Sequence, residues 1–121
     1  MPELPEGRIC TIEEKEFNFS IATTPVDLMR GLAGVTSLEH YDGMLFDFGC
    51  PFSPIMTPKG LRFPVDLAFI HATGKIVEIH RLDPNYEFPQ DTVRQDVQYA
   101  LEVPVGFFEA NDIQLGDMLK L

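Results

Sequence analysis

The sequence predicts a mainly β, β-rich α+β domain, a small barrel-like fold carrying one or two short helices. Three observations point there. Several short segments alternate apolar and polar residues with the period of two that marks a half-buried strand. One stretch, "VDLAFIHATGKIVEIHRL", sets two apolar runs around a glycine-bearing turn, the signature of a β-hairpin. Helical spacing, by contrast, occurs only in short pieces.

The elements follow in chain order. "EKEFNFSIAT" places Phe17, Phe19 and Ile21 on one face and Glu16, Asn18 and Ser20 on the other, which predicts a strand. Residues 1–14 before it read as a polar N-terminal arm. In "TTPVDLMRGLAG", Thr24 is a cap and Pro25 suits the first helical position. Asp27 complements the positive first turn, and Gly34 can end the helix. Val26, Met29 and Leu32/Ala33 recur at helical spacing, so a short amphipathic helix is expected over about 25–33. "YDGMLFDF" gives an Asp-Gly turn and a strand with Met44, Phe46 and Phe48 on one side.

"GCPFSPIMTPKG", with three prolines and two glycines, is expected to be a structured surface loop. The hairpin occupies about 65–82 and turns at Ala72-Thr73-Gly74. "DPNYEFPQDTVRQD" reads as a long loop and "VQYALEVP" as another strand. "VGFFEANDI" offers Phe107, Phe108 and Ile113 to pack one or two helical turns on the sheet. "QLGDMLKL" closes the chain with a turn at Gly116-Asp117 and a last strand. That final strand, short helix, turn, strand order is similar to the corner of cradle-loop-type barrels. Closure into a barrel would also remove exposed sheet edges. A partly open β-sandwich with helices on one face is the alternative.

Composition limits the function classes. At 121 residues the chain is expected to form one domain with a real core. Its 19 acids and nine bases give a net charge of −10, which opposes binding to phosphate backbones or anionic lipid. Neither a nucleic acid nor a membrane is therefore expected as partner. No apolar run approaches the ~18 residues of a membrane span. "MPELPEGRIC" has neither a basic n-region nor an apolar h-region, so no signal peptide is expected and the location is read as cytoplasmic or virion. Cys10 and Cys50 lie far apart without a C-x-x-C pair, and are read as reduced thiols serving as small buried hydrophobes.

"RGLAGVTSLEHYDGMLFDF" at 30–48, "FPVDLAFIHATGKIVEI" at 63–79 and "YALEVPVGFFEANDIQLGDMLKL" at 99–121 together resemble the domain-of-unknown-function 192 family over residues 17–121. The resemblance implies a compact β-rich fold and carries no reaction. It also implies a place among proteins often secreted or membrane-tethered. Family members typically carry Phe-Trp-Met-Lys-Asn-Thr just before Ile-Pro-Leu-Asp. Lys59 falls on the family lysine, while Met56, Thr57 and Pro58 replace Phe-Trp-Met, and Gly60 and Leu61 stand for Asn-Thr.

Few side chains suggest chemistry. Lys59 sits in a Pro-Lys-Gly turn, where exposure is the usual outcome; a reactive lysine needs burial or a nearby cation. Asp66 interrupts an apolar run and needs a partner if buried. Arg30 is the expected one, since its fork can hold a carboxylate with two bonds. Asp117 is expected to accept backbone N–H bonds at the last turn, beside Gly116. His40, His71 and His80 form no metal pattern, and no catalytic triad, phosphate-binding loop or carboxylate pair stands out. No metal or cofactor is expected, and enzymatic activity is not favoured.

Two functions follow as expectations. The first is a non-enzymatic structural or interaction module with a protein partner or self-association, such as an accessory subunit that decorates a viral capsid. It leans on the polar start of the chain, which needs its own domain or a partner to hold it in order. The second is a small-molecule or carbohydrate-binding domain, with weak hydrolysis as a further option, whose site lies around Arg30, Lys59, Asp66 and the loop 83–95.

Overall fold

A computed structural model describes all of residues 1–121. Seven strands and two short helices follow one another: β1 (Gly7–Ile12), β2 (Lys15–Ala22), α1 (Pro25–Arg30), β3 (Gly43–Phe52), β4 (Val65–His71), β5 (Ile76–Leu82), β6 (Val97–Pro104), α2 (Phe107–Ala110) and β7 (Leu119–Lys120). The strands form one sheet in the order β5-β4-β6-β3-β2-β1-β7. Only β2 and β3 run parallel, and α1 lies on the crossover between them. The sheet curls into a half-barrel. Its two outermost strands meet at one end, where Lys75 bridges Met118 and the amide of Ile76 donates to the carbonyl of Asp117 at 2.9 Å.

Strand alternation divides the apolar side chains between two cores. Cys10, Phe19, Leu45, Ala68, Leu101 and Leu119 belong to a core fed by all seven strands, the inside of the curl, which Phe108 of α2 joins. Met44, Phe46, Leu67, Phe69 and Ala100 point to the other face, where Leu4, Leu32, Val35, Met56 and Leu61 cover them. The middle strands β4 and β6 are thus buried on both faces, which explains their nearly continuous apolar runs. Phe17, Phe19 and Ile21 share the inner face and Met44, Phe46 and Phe48 the outer one, as period two requires.

The hairpin β4–β5 turns at 72–74 and carries a bulge, so that Ile70 pairs with Ile76. Four local expectations need correction. The helix α1 stops at Arg30 rather than continuing to 33, because Gly31 adopts a left-handed φ of 51° and its N–H closes the helix on Asp27. Of its expected apolar face only Leu32, just beyond the helix, is buried: Met29 is 89% and Val26 62% exposed, and within α1 Leu28 packs partly on the outer core. Strand β3 runs on through Gly49-Cys50-Pro51-Phe52, across a shift in register, so the proline-rich loop begins later than expected. That extension leaves Cys50 exposed, while Cys10 is the buried thiol of the two.

The start of the chain is held by its own sheet. Residues 7–12 pair with β2, Leu4 enters the outer core, and Ser20 Oγ donates to the carbonyl of Pro5 at 2.6 Å.

Candidate functional site

Two segments lie over the outer core and bond to each other. The amide of Gly34, just beyond α1, donates to the carbonyl of Gly60 at 2.9 Å. The segment 56–61 is itself pinned at both ends. Met56 exchanges two backbone hydrogen bonds with Gln90, at 2.9 and 2.8 Å, and Leu61 N–H closes a tight turn on the carbonyl of Pro58. Within that turn Lys59 N–H donates to Thr57 Oγ1.

Between these segments and the sheet lies a cavity of about 300 Å³. Its walls are largely apolar, with Leu28, Leu32, Phe46, Met56 and Leu61 prominent among them. Exposed Arg30 and Lys59 stand at its mouth, and Glu102 at its inner end. Neither cation takes part in an ion pair within the protein.

Glu102 occupies the middle of β6, opposite Leu67 on one side and Met44 on the other. Alternation turns its side chain to the outer face with Ala100. It is only 2% exposed, and no hydrogen bond from the protein offsets the burial of its carboxyl. Because every fully enclosed side-chain nitrogen or oxygen in the protein has a partner, the carboxyl keeps a small opening, and the space it opens on is the cavity. Burial pushes its pKa up to about 8, since the charged form is the one that loses solvation. At neutral pH it is mainly an uncharged acid, able to donate one hydrogen bond and accept others.

Arg30 and Lys59 thus share one cavity, and Asp66 is not part of it. The expected Arg30–Asp66 pair does not form. Asp66 alternates to the inner face of β4, whereas α1 lies against the outer face, so the sheet separates the two. Its partners are Arg81, whose Nε donates at 2.8 Å, and the amide of Gly106 at 2.9 Å. This ties β4, β5 and the start of α2 together. The Asp66 bonds in turn hold the Arg81 pKa above its usual value.

The loop 83–95 does not line the cavity either. Thr92 Oγ1 binds it to Glu78, whose other oxygen pairs with His80 Nε2 at 2.6 Å. Burial alone would raise the Glu78 pKa, but the bonds from Thr92 and His80 outweigh it and the pKa is lowered. Asp96, held by Arg94, is likewise lowered, and His71 Nε2 lies 3.6 Å from it. Asp117 accepts from the Gln114 amide at 2.9 Å in a turn where Gly116 has a φ of 93°. No group of three His, Cys, Asp or Glu side chains is placed to hold a metal ion. Sequence reasoning missed Glu102, although "ALEV" carries the same signal as Asp66 in "VDLA": one acid inside an apolar run.

The geometry is that of a curled β-sheet domain with a covered outer face. The chain belongs to the domain-of-unknown-function 192 family, described as "Uncharacterized ACR", which it matches over residues 8–121. No curated protein matches it. A crystal structure from Sinorhizobium meliloti 1021, described as a "putative transcription regulator", is similar at 27% identity and a TM-score of 0.86, covering 99% of this chain and 96% of that one. A protein of unknown function from Novosphingobium aromaticivorans shares the fold, with 21% identity and a TM-score of 0.82 over 95% of this chain and 85% of that one. No helix here is long and apolar enough to cross a membrane.

Proposed function

We propose that the protein is a small-molecule-binding domain whose site is the cavity between α1, the turn 56–61 and the outer face of β6. The observation that carries this reading is Glu102, a carboxyl almost wholly removed from water, without a protein partner, facing a cavity with apolar walls. A carboxyl that is largely desolvated yet open onto this cavity keeps its hydrogen-bonding capacity free for whatever occupies the space. Pockets for small ligands combine apolar walls with a few convergent polar groups, as this one does. The regulator description of the Sinorhizobium structure gives no reason to prefer DNA as the ligand, because a net charge of −10 repels phosphate.

The test is a fragment screen by protein-observed NMR. Fragments that shift the resonances of Leu32, Phe46, Leu61 and Glu102 together support the reading. A screen in which fragments bind only elsewhere, or not at all, overturns it.

A second reading, an interaction module such as an accessory subunit of a larger assembly, is favoured by a different observation. Phe52, Ile55, Phe88 and Val93 are exposed, Val93 by 98%, on two segments joined by the Met56–Gln90 pairing. The order of the N-terminal segment lends this reading no support, because its own sheet holds that segment. Light scattering on the isolated protein decides the self-association form of it: a defined oligomer supports it, and a monomer at all concentrations removes it.

A further inference from the structure

We infer that the cavity takes a small organic acid with a hydroxyl at its far end, the carboxylate held by Arg30 and Lys59 at the mouth and the hydroxyl hydrogen-bonded to Glu102 inside. This deepens the binding reading above and rests on it.

The polar groups are arranged by depth. At the mouth are two exposed cations with no carboxylate partner in the protein. Most bases of the chain are likewise unpaired, and what sets these two apart is that they line the same cavity. Two unpaired cations on one rim fit an anionic group, which a guanidinium can bind with two parallel bonds. At the inner end there is no cation, only the Glu102 carboxyl. An anion could not approach it if it were ionised, and a ligand with no polar atom there would leave it unpaired. A hydroxyl satisfies it in either protonation state, because it can both donate and accept.

Between the ends the walls are the side chains of Leu32, Phe46, Met56 and Leu61, which suit an apolar or aromatic body. At about 300 Å³ the cavity sits at the small end of the ~300–1,000 Å³ typical of ligand pockets. The ligand is therefore small.

Three probes of similar size separate these elements: 3-(4-hydroxyphenyl)propanoate, with both end groups; 3-phenylpropanoate, without the hydroxyl; and 4-propylphenol, without the carboxylate. Affinities would be measured by NMR titration of the full chain at pH 7. The first probe should bind at least tenfold more tightly than either of the others. An R30Q/K59Q double variant should lose the preference over 4-propylphenol, and Glu102→Ala the preference over 3-phenylpropanoate. Both sets of changes are read against the variant's retained NMR spectrum, which shows that the fold persists. Equal or tighter binding of 4-propylphenol in the cavity overturns the organic-acid inference while leaving the binding site itself intact. Equal binding of 3-phenylpropanoate overturns the role given to Glu102. If none of the three binds and fragments do bind the cavity, the ligand class is wrong. If fragments fail there as well, the binding reading falls with it.

Discussion

Glu102 and Asp66 are both acids inside apolar strands, yet they behave oppositely because only one is satisfied. Asp66 has Arg81 and the Gly106 amide, so it is a structural anchor. Removing it by Asp66→Ala leaves Arg81 and that amide without their acceptor, and should cost ~1–3 kcal/mol in urea denaturation. An unchanged midpoint would show that the network contributes nothing. Glu102 instead carries a pKa raised to about 8 from an ordinary value near 4.5. Between those two values the folded protein holds a proton that the unfolded chain releases. Stability therefore falls as pH rises through that window, and flattens above about 8 once both states are ionised. Glu102→Gln, which is neutral at every pH, should remove most of this slope. It should also be the more stable protein at pH 8–9 by a few kcal/mol, since each tenfold difference in proton affinity between folded and unfolded states is worth ~1.4 kcal/mol. Thermal melts of both proteins from pH 5 to 9 check it. Parallel curves would mean that the carboxyl titrates normally.

At the scale of elements, most strands were legible, but β1, inside the segment read as a polar arm, and the covering segments were not. Period two gave the faces of β2 and β3 because successive side chains of a strand point to opposite faces. The same rule shows why the Arg30–Asp66 pairing failed. Alternation assigns Asp66 to the face opposite Leu67, but nothing local says on which face α1 will lie. Glu102 was equally readable as an acid out of place, and equally silent about the cavity in front of it. That cavity is made by residues 28–33 and 55–61, which meet only in the folded chain. Helical spacing misled for α1 because it reports that Val26 and Met29 share a face, not that anything covers it. With one turn and a half and no buried residue, α1 depends on its cap, Thr24 Oγ1, which accepts from the Asp27 amide at 3.2 Å. Thr24→Ala should cost about 1 kcal/mol. Hydrogen exchange should quicken first at the Leu28 and Gly31 amides, which close the helix. Exchange that quickens equally in β4 and β6 would contradict a local cap.

For the whole molecule, two cores on opposite faces of one curled sheet imply that closure of the curl and shape of the cavity can be perturbed separately. The seam between the β4–β5 turn and β7 rests on Gly74. Its carbonyl accepts from the Leu119 amide at 2.7 Å, and its φ is 99°, a region that favours glycine. A Cβ at this position would stand 2.3 Å from the backbone oxygen of Leu119, so β7 or the turn must move. Gly74→Ala should therefore cost ~1–3 kcal/mol, the usual scale for such backbone strain. The loss should be polarised. The amides of Ile76 and Leu119, whose acceptors are Asp117 and Gly74, should exchange faster. Chemical shifts around Leu32, Leu61 and Glu102 should stay in place, since the sheet lies between them and the seam. Shifts spreading to the cavity would show that the two faces of the sheet are mechanically coupled.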